Sequence, residues 1–143
     1  DDFVLDLAGF FEDIYKKQVE ELEQLGIAHF YGFQSDPRPF YTEADCIVLP
    51  SYHEGMSNVL LEAAATGRPV ITSNIPGCRE SVENGKTGLL VEAKNKEMLY
   101  QAMKKMLHCS REEREKMGKA GREKMKREFR KEAVVERTVR SLE

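Results

Sequence analysis

Glu54 and Glu62 flank a run, Gly55-Met56-Ser57-Asn58-Val59-Leu60-Leu61, that passes from loop-like to helix-like composition. Ser57 is a favoured helix N-cap residue, and Gly55 lets backbone approach a ligand or adopt a positive φ. The first turn of the helix that follows offers the N–H groups of Asn58, Val59 and Leu60. Such a turn favours a phosphate or diphosphate, through its unpaired donors and the positive end of its dipole. Glu54 is expected outside the helix and Glu62 about one turn inside it. The neighbours of Glu62 are Leu60, Leu61, Ala63, Ala64 and Ala65, which predict a mostly buried helix. A buried carboxylate needs partners, and two sugar hydroxyls suit that role. The same residues also fit a plainer reading, in which Glu62 faces solvent and Glu54 is an ordinary loop residue.

A second loop, Ser73-Asn74-Ile75-Pro76-Gly77-Cys78-Arg79-Glu80, repeats the theme. Gly77 permits close approach. Glu80 either steadies a helix start or orients a ligand hydroxyl, and Arg79 pairs with a phosphate or with a surface carboxylate. His53 could serve as an acid or base near neutral pH, but no Ser or Cys stands at a diagnostic spacing from it. His29 and His108 read as structural or exposed, and Cys78 as a packed thiol. No metal-ligand cluster is visible, so neither a metal nor a resident cofactor is expected.

These loops need elements to hold them. Apolar runs and turn residues predict strands at 3–9, 28–31, 46–49, 69–72 and 88–91. Helices are predicted over 11–25, from 37 to about 44, from near Ser57 to before Gly67, and briefly over 77–83. The strands are short and apolar on both faces, the pattern of a parallel sheet covered on both sides. The fold class is therefore α/β, a Rossmann-like three-layer α/β/α arrangement with a mainly parallel sheet, read as one domain over residues 1–143. In such sheets ligands bind at the C-terminal edges of strands, so residues 50–58 and 73–79 should face one crevice.

A helical tail follows at about 95–140. Asn95 caps a helix to about Leu107, with Met98, Leu99, Ala102, Met103 and Met106 on its apolar face. Ser110 and Glu113 form a capping-box pattern that opens a charged helix to about Arg137. Its apolar stripe is Met117, Gly121, Met125 and Phe129, a narrow buried face with no evident partner.

Composition bounds the function. The chain has 143 residues, 41% apolar and 33% charged, with a net charge of −3. Nothing in it points to nucleic acid. Its three cysteines are widely spaced, which fits a reducing compartment better than a disulfide scaffold. No run approaches the roughly 20 apolar residues of a membrane span.

The stretch LPSYHEGMSNVLLEAAATGRPVITSNIPGCRESVENGKTGLLV closely resembles the donor-binding half of retaining glycosyltransferases of GT-B architecture, family GT4. The resemblance covers about residues 28–108. It implies that Glu54 contacts the donor hexose and Glu62 holds the ribose hydroxyls. Gly55, Met56, Ser57 and Asn58 would lie beside the sugar and diphosphate. Tyr31, Gly32 and Phe33 resemble the segment under the nucleotide base, and Gly77–Glu80 a later glycine loop in which Cys78 replaces a common second glycine.

The implied activity is transfer of a hexose from a nucleotide sugar, most often a UDP-sugar, to an acceptor hydroxyl with retention. Carbohydrate or lipid-linked glycan acceptors and bacterial surface polysaccharides follow from the same likeness, as does independence of divalent metal. The basic pair that relatives use on the diphosphate is expected upstream of residue 1, as is an N-terminal acceptor domain, so this chain alone is expected to be inactive. The full protein is expected in the cytoplasm, peripheral at the inner membrane face where its acceptor is lipid-linked. Two other readings remain open: a nucleotide-binding or interaction module on a flavodoxin-like sheet, and a sugar-nucleotide epimerase of the same architecture.

Overall fold

The structure is a computed structural model that describes residues 3–10, 12–130 and 140. Its strands form two parallel sheets rather than the single sheet expected. Its Cα packing forms two compact units, 1–40 and 41–143. The strand pairings run within one unit each, and the division falls inside a short helix, α2 (Arg38–Glu43).

In the first unit, β1 (Leu5–Ala8) pairs in parallel with β2 (Ala28–Gly32), Leu5 opposite Ala28 and Leu7 opposite Phe30. The connection is a 3₁₀ turn at Asp13–Tyr15 and α1 (Lys16–Gln24). The helix expected from residue 11 thus begins as a tighter turn, and Phe11 lies outside the described residues. Gly26, at φ 68°, ends α1. Its N–H reaches the Glu23 carbonyl and that of Ile27 the Leu22 carbonyl, the paired bonds of a Schellman stop. Ile14 and Leu25 are exposed. Asp36 accepts hydrogen bonds from the Arg38 backbone N–H and guanidinium. The guanidinium bond is the main cause holding its carboxyl down at about 2.

In the second unit, β3 (Ile47–Leu49), β4 (Val70–Ser73) and β5 (Gly88–Val91) form the sheet in that order, all parallel. Strand alternation divides its side chains between two faces. Val70 joins Leu60, Ala63, Tyr41, Cys78 and Val82 on one side. Ile71, Leu89 and Val91 join Ala102 and Met106 on the other. The first side is covered by α3 (Asn58–Ala65) and the second by α4 (Lys96–His108), so this unit has the three layers expected.

Local signals at the tail hold. The Asn95 side chain accepts from the Met98 N–H, and Ser110 and Glu113 form the reciprocal capping box of α5 (Arg111–Glu128). Helix beyond residue 130 was expected, but residues 131–139 lie outside the described set. The apolar stripe of α5 does have a partner in this chain. A Cβ on Gly118 would stand 1.8 Å from the Gly67 carbonyl oxygen, and one on Gly121 would touch Ala64 and Thr87 at 3.8 and 3.7 Å. Glycine removes the side-chain bulk that would separate the helix from the α3–β4 turn.

Candidate functional site

Three loops leave the C-terminal ends of β3, β4 and β5: residues 50–57, 74–78 and 92–95. The first two are locked together. The Ser57 N–H donates to the Gly77 carbonyl at 3.2 Å. Gly77 has φ 87°, and a Cβ there would fall 1.5 Å from the Gly55 carbonyl oxygen. Only a glycine fits between those backbones. Gly55 itself has no left-handed φ, contrary to one expectation, and open space lies where its Cβ would point. Its value is therefore closeness, to Gly77 on one side and to solvent on the other.

Ser57 occupies the N-cap position of α3, but its side chain makes no capping hydrogen bond. It is buried instead. The sequence reading of Ser57 as a side-chain cap is thus corrected: its backbone is held by Gly77. Asn58 and Val59 are exposed at the start of the helix. Their N–H groups face no Ser57 hydroxyl, which leaves this turn suited to an anionic ligand. Tyr52 and Met56 in the first loop and Val59 in the first turn are exposed apolar side chains.

Glu54 is exposed in the first loop and accepts a hydrogen bond from the Ser51 hydroxyl at 3.0 Å. Glu62 is also exposed. Of the two readings of its burial, the solvent-facing one holds, because Leu60, Ala63 and Ala64 turn to the core while Glu62 takes the other face of α3. Its partner is the Tyr41 hydroxyl, which donates to Glu62 Oε2 at 3.2 Å. Burial, followed by the nearby Glu62 charge, pushes the Tyr41 phenol up to about 12.

Side chains of the second loop bond its own backbone. Glu80 accepts from the Gly77 N–H at 2.8 Å, so it braces the loop. Arg79 donates to the Asn74 carbonyl at 3.2 Å. Cys78 is fully buried in the core, and burial raises its thiol pKa. His53 is exposed. Gly32 and Phe33 belong to the first unit, where the Phe33 ring stacks on Phe10 at 5.3 Å between centroids.

Sequence reasoning did not single out Tyr41 or Lys94. Lys94 follows β5 at φ 64°, with Nζ 5.6 Å from the centre of the Tyr52 ring. Its position directly after a strand end was the available signal. Tyr41 gave none, since an aromatic in a short helix reads as core. No group of potential metal ligands occurs among the described residues. A hollow of about 410 Å³ runs along α4, lined by Lys104, Lys105 and His108, away from every candidate residue.

The second unit is a parallel sheet covered on both faces, with two interlocked loops over a helix start, and comparison with known proteins narrows its class. Residues 1–124 match the family of glycosyl transferases group 1, and the chain belongs to that family. It is 34% identical over 102 residues to the capsular polysaccharide biosynthesis glycosyltransferase CapM of Staphylococcus aureus, covering 71% of this chain and 27% of that one. Sucrose-phosphate synthase from Thermosynechococcus elongatus superposes with a TM-score of 0.80 at 29% identity, over 96% of this chain and 38% of that one. HepE of Anabaena, solved in complex with UDP, superposes with a TM-score of 0.79 at 20% identity, over 97% of this chain and 40% of that one. The fold is thus Rossmann-like α/β, as in GT-B glycosyltransferases, and the chain spans well under half the length of these relatives. Among the described residues, no helix is long and apolar enough to cross a membrane.

Proposed function

We propose that this chain is the donor-binding part of a retaining glycosyltransferase of family GT4, which moves a hexose from a nucleoside diphosphate sugar to an acceptor hydroxyl in bacterial surface glycan synthesis. One observation carries the reading. The Gly77–Gly55 junction seats two loops against the start of α3, with Glu54 on the loop side and Glu62 one turn along. The α3 N-terminus takes the diphosphate, Glu62 accepts from the ribose hydroxyls and Glu54 from the hexose. Arg79 and Glu80 shape the second loop through their bonds to Asn74 and Gly77.

In the reaction, the bond from the anomeric carbon to the diphosphate breaks and a bond to the acceptor oxygen forms on the same face. The acceptor loses its proton. Donor N–H groups aimed at the leaving diphosphate lower the barrier by stabilising developing charge. Family membership supports the transferase class, and the UDP held by HepE makes a UDP-sugar the first donor to test. The acceptor is a carbohydrate or lipid-linked glycan, met with the help of a second domain of the same protein at the inner membrane face.

The test is calorimetric titration of the full-length protein with UDP, ADP and GDP, beside its E62A variant. Selective binding of one nucleotide, weakened about tenfold or more by loss of hydrogen bonds to a charged group, supports the assignment. Equal binding by E62A removes Glu62 from the site.

A further inference from the structure

Glu62 is an exposed carboxylate on a helix surface, where its rotamers would ordinarily interchange freely. Here one of its oxygens is held by a residue whose own position is fixed twice over. Tyr41 is only 3% exposed and packs with Leu60, Ala63 and Val70, so its ring cannot swing. Its hydroxyl emerges at Glu62 Oε2, 3.2 Å away.

The backbone of Tyr41 is clasped as well. Arg68 Nε donates to the Tyr41 carbonyl at 2.8 Å, and Arg68 Nη2 donates to the Thr42 carbonyl. These carbonyls belong to the last turn of α2, whose acceptors lack partners within the helix. Arg68 in turn is set by the end of α3. The Arg68 N–H reaches the Ala63 carbonyl and the Gly67 N–H the Ala64 carbonyl, with Gly67 at φ 81°. The turn that closes the helix carrying Glu62 therefore supplies the residue that holds the tyrosine which holds Glu62.

We infer that Tyr41, clasped by Arg68, is a positioning residue that presents the Glu62 carboxylate to the ribose hydroxyls of the nucleotide donor. The inference rests on the assignment of Glu62 to ribose made above. A phenol donating to one oxygen leaves the other oxygen and the remaining lone pairs to accept from a ligand. It also fixes one rotamer before binding, so less side-chain entropy is lost when the nucleotide arrives. The phenol is neutral and a donor near pH 7, and burial raises its pKa further.

The experiment is a double-mutant cycle on the full-length protein, with wild type, Y41F, E62A and Y41F/E62A each titrated with UDP and with 2′,3′-dideoxy-UDP. Y41F keeps the buried ring and removes only the hydroxyl. Expected is a loss of UDP affinity of about three- to tenfold in Y41F, little change for the dideoxy nucleotide, and no further loss when Y41F is added to E62A. R68K, which cannot grip two carbonyls with a planar fork, should weaken UDP binding in the same selective way.

Equal weakening of both nucleotides by Y41F, or a full additional penalty in the E62A background, means that Tyr41 acts on the fold in general and overturns the inference. Unchanged UDP binding in Y41F together with weak binding in E62A overturns the inference and leaves the ribose assignment standing. Unchanged binding in E62A, or no nucleotide binding by the wild type at millimolar concentration, overturns both.

Discussion

The carbonyl oxygen of Gly55 lies 1.5 Å from the point where Gly77 would carry a Cβ. No side chain fits there without moving one of the two loops. Gly77 also has φ 87°, which L-residues rarely adopt. G77A should therefore cost about 1–3 kcal/mol, from strain and displaced backbone together. Urea denaturation gives the stability, and nucleotide titration should show a larger loss than stability alone explains. A G77A protein with unchanged stability and binding would mean that the loops do not need this contact.

Gly118 and Gly121 make a paired test on α5. A Cβ at Gly118 meets the Gly67 carbonyl oxygen at 1.8 Å, whereas one at Gly121 meets nothing closer than 3.7 Å. G118A should destabilise by about 1–3 kcal/mol through overpacking. G121A should be neutral or stabilising by up to about 1 kcal/mol, since Ala is the better helix former. Denaturation midpoints of the two variants must move in different ways; equal shifts would contradict the close docking of α5 on the α3–β4 turn.

Tyr41 gives a pH dependence with a defined sign. Its folded pKa is raised from 10.0 to about 12. The neutral phenol is thus favoured by the fold, and its contribution is fully present below pH 10. It is lost as pH rises from 10 through 12. The wild type should lose stability across that window more steeply than Y41F, measured by urea midpoints at pH 9 and pH 11. Parallel loss in both proteins would show that the phenol is as free to ionise in the fold as in the unfolded chain.

The thiols report on packing. Burial pushes the Cys46 thiol up to about 12 and raises that of Cys78 as well. Thiolate is the reactive form, so both should react with an aromatic disulfide reagent at pH 8 about tenfold or more slowly than after unfolding in urea. Peptide mapping of the labelled sites makes the measurement. Fast native labelling at Cys78 would contradict its place in the core behind the second loop.

Much of the fold was legible in the sequence, for local reasons. Gly88–Val91 is a strand, Asn95 and Ser110 cap helices, and Gly26 ends one, all as read. Each is decided by groups within three or four residues of one another. The candidate site was legible only as an order of residues. Glu54 lies on a loop and Glu62 inside a helix as expected, while the sequence left open whether Glu62 is buried or faces solvent, and it is exposed. Its apolar neighbours describe α3 as a whole, whereas exposure depends on which face of the helix meets the sheet.

The sequence alone determined the succession of strands, helices and caps, because hydrophobic period, capping groups and turn residues act over short distances along the chain. Tertiary structure decided the rest. It seated Gly77 on Gly55 and Gly118 on Gly67, brought the Tyr41 hydroxyl to Glu62, and separated the strands into two sheets. Those relationships join residues far apart in the chain. They follow from close packing of whole elements, which leaves no period or motif at either partner.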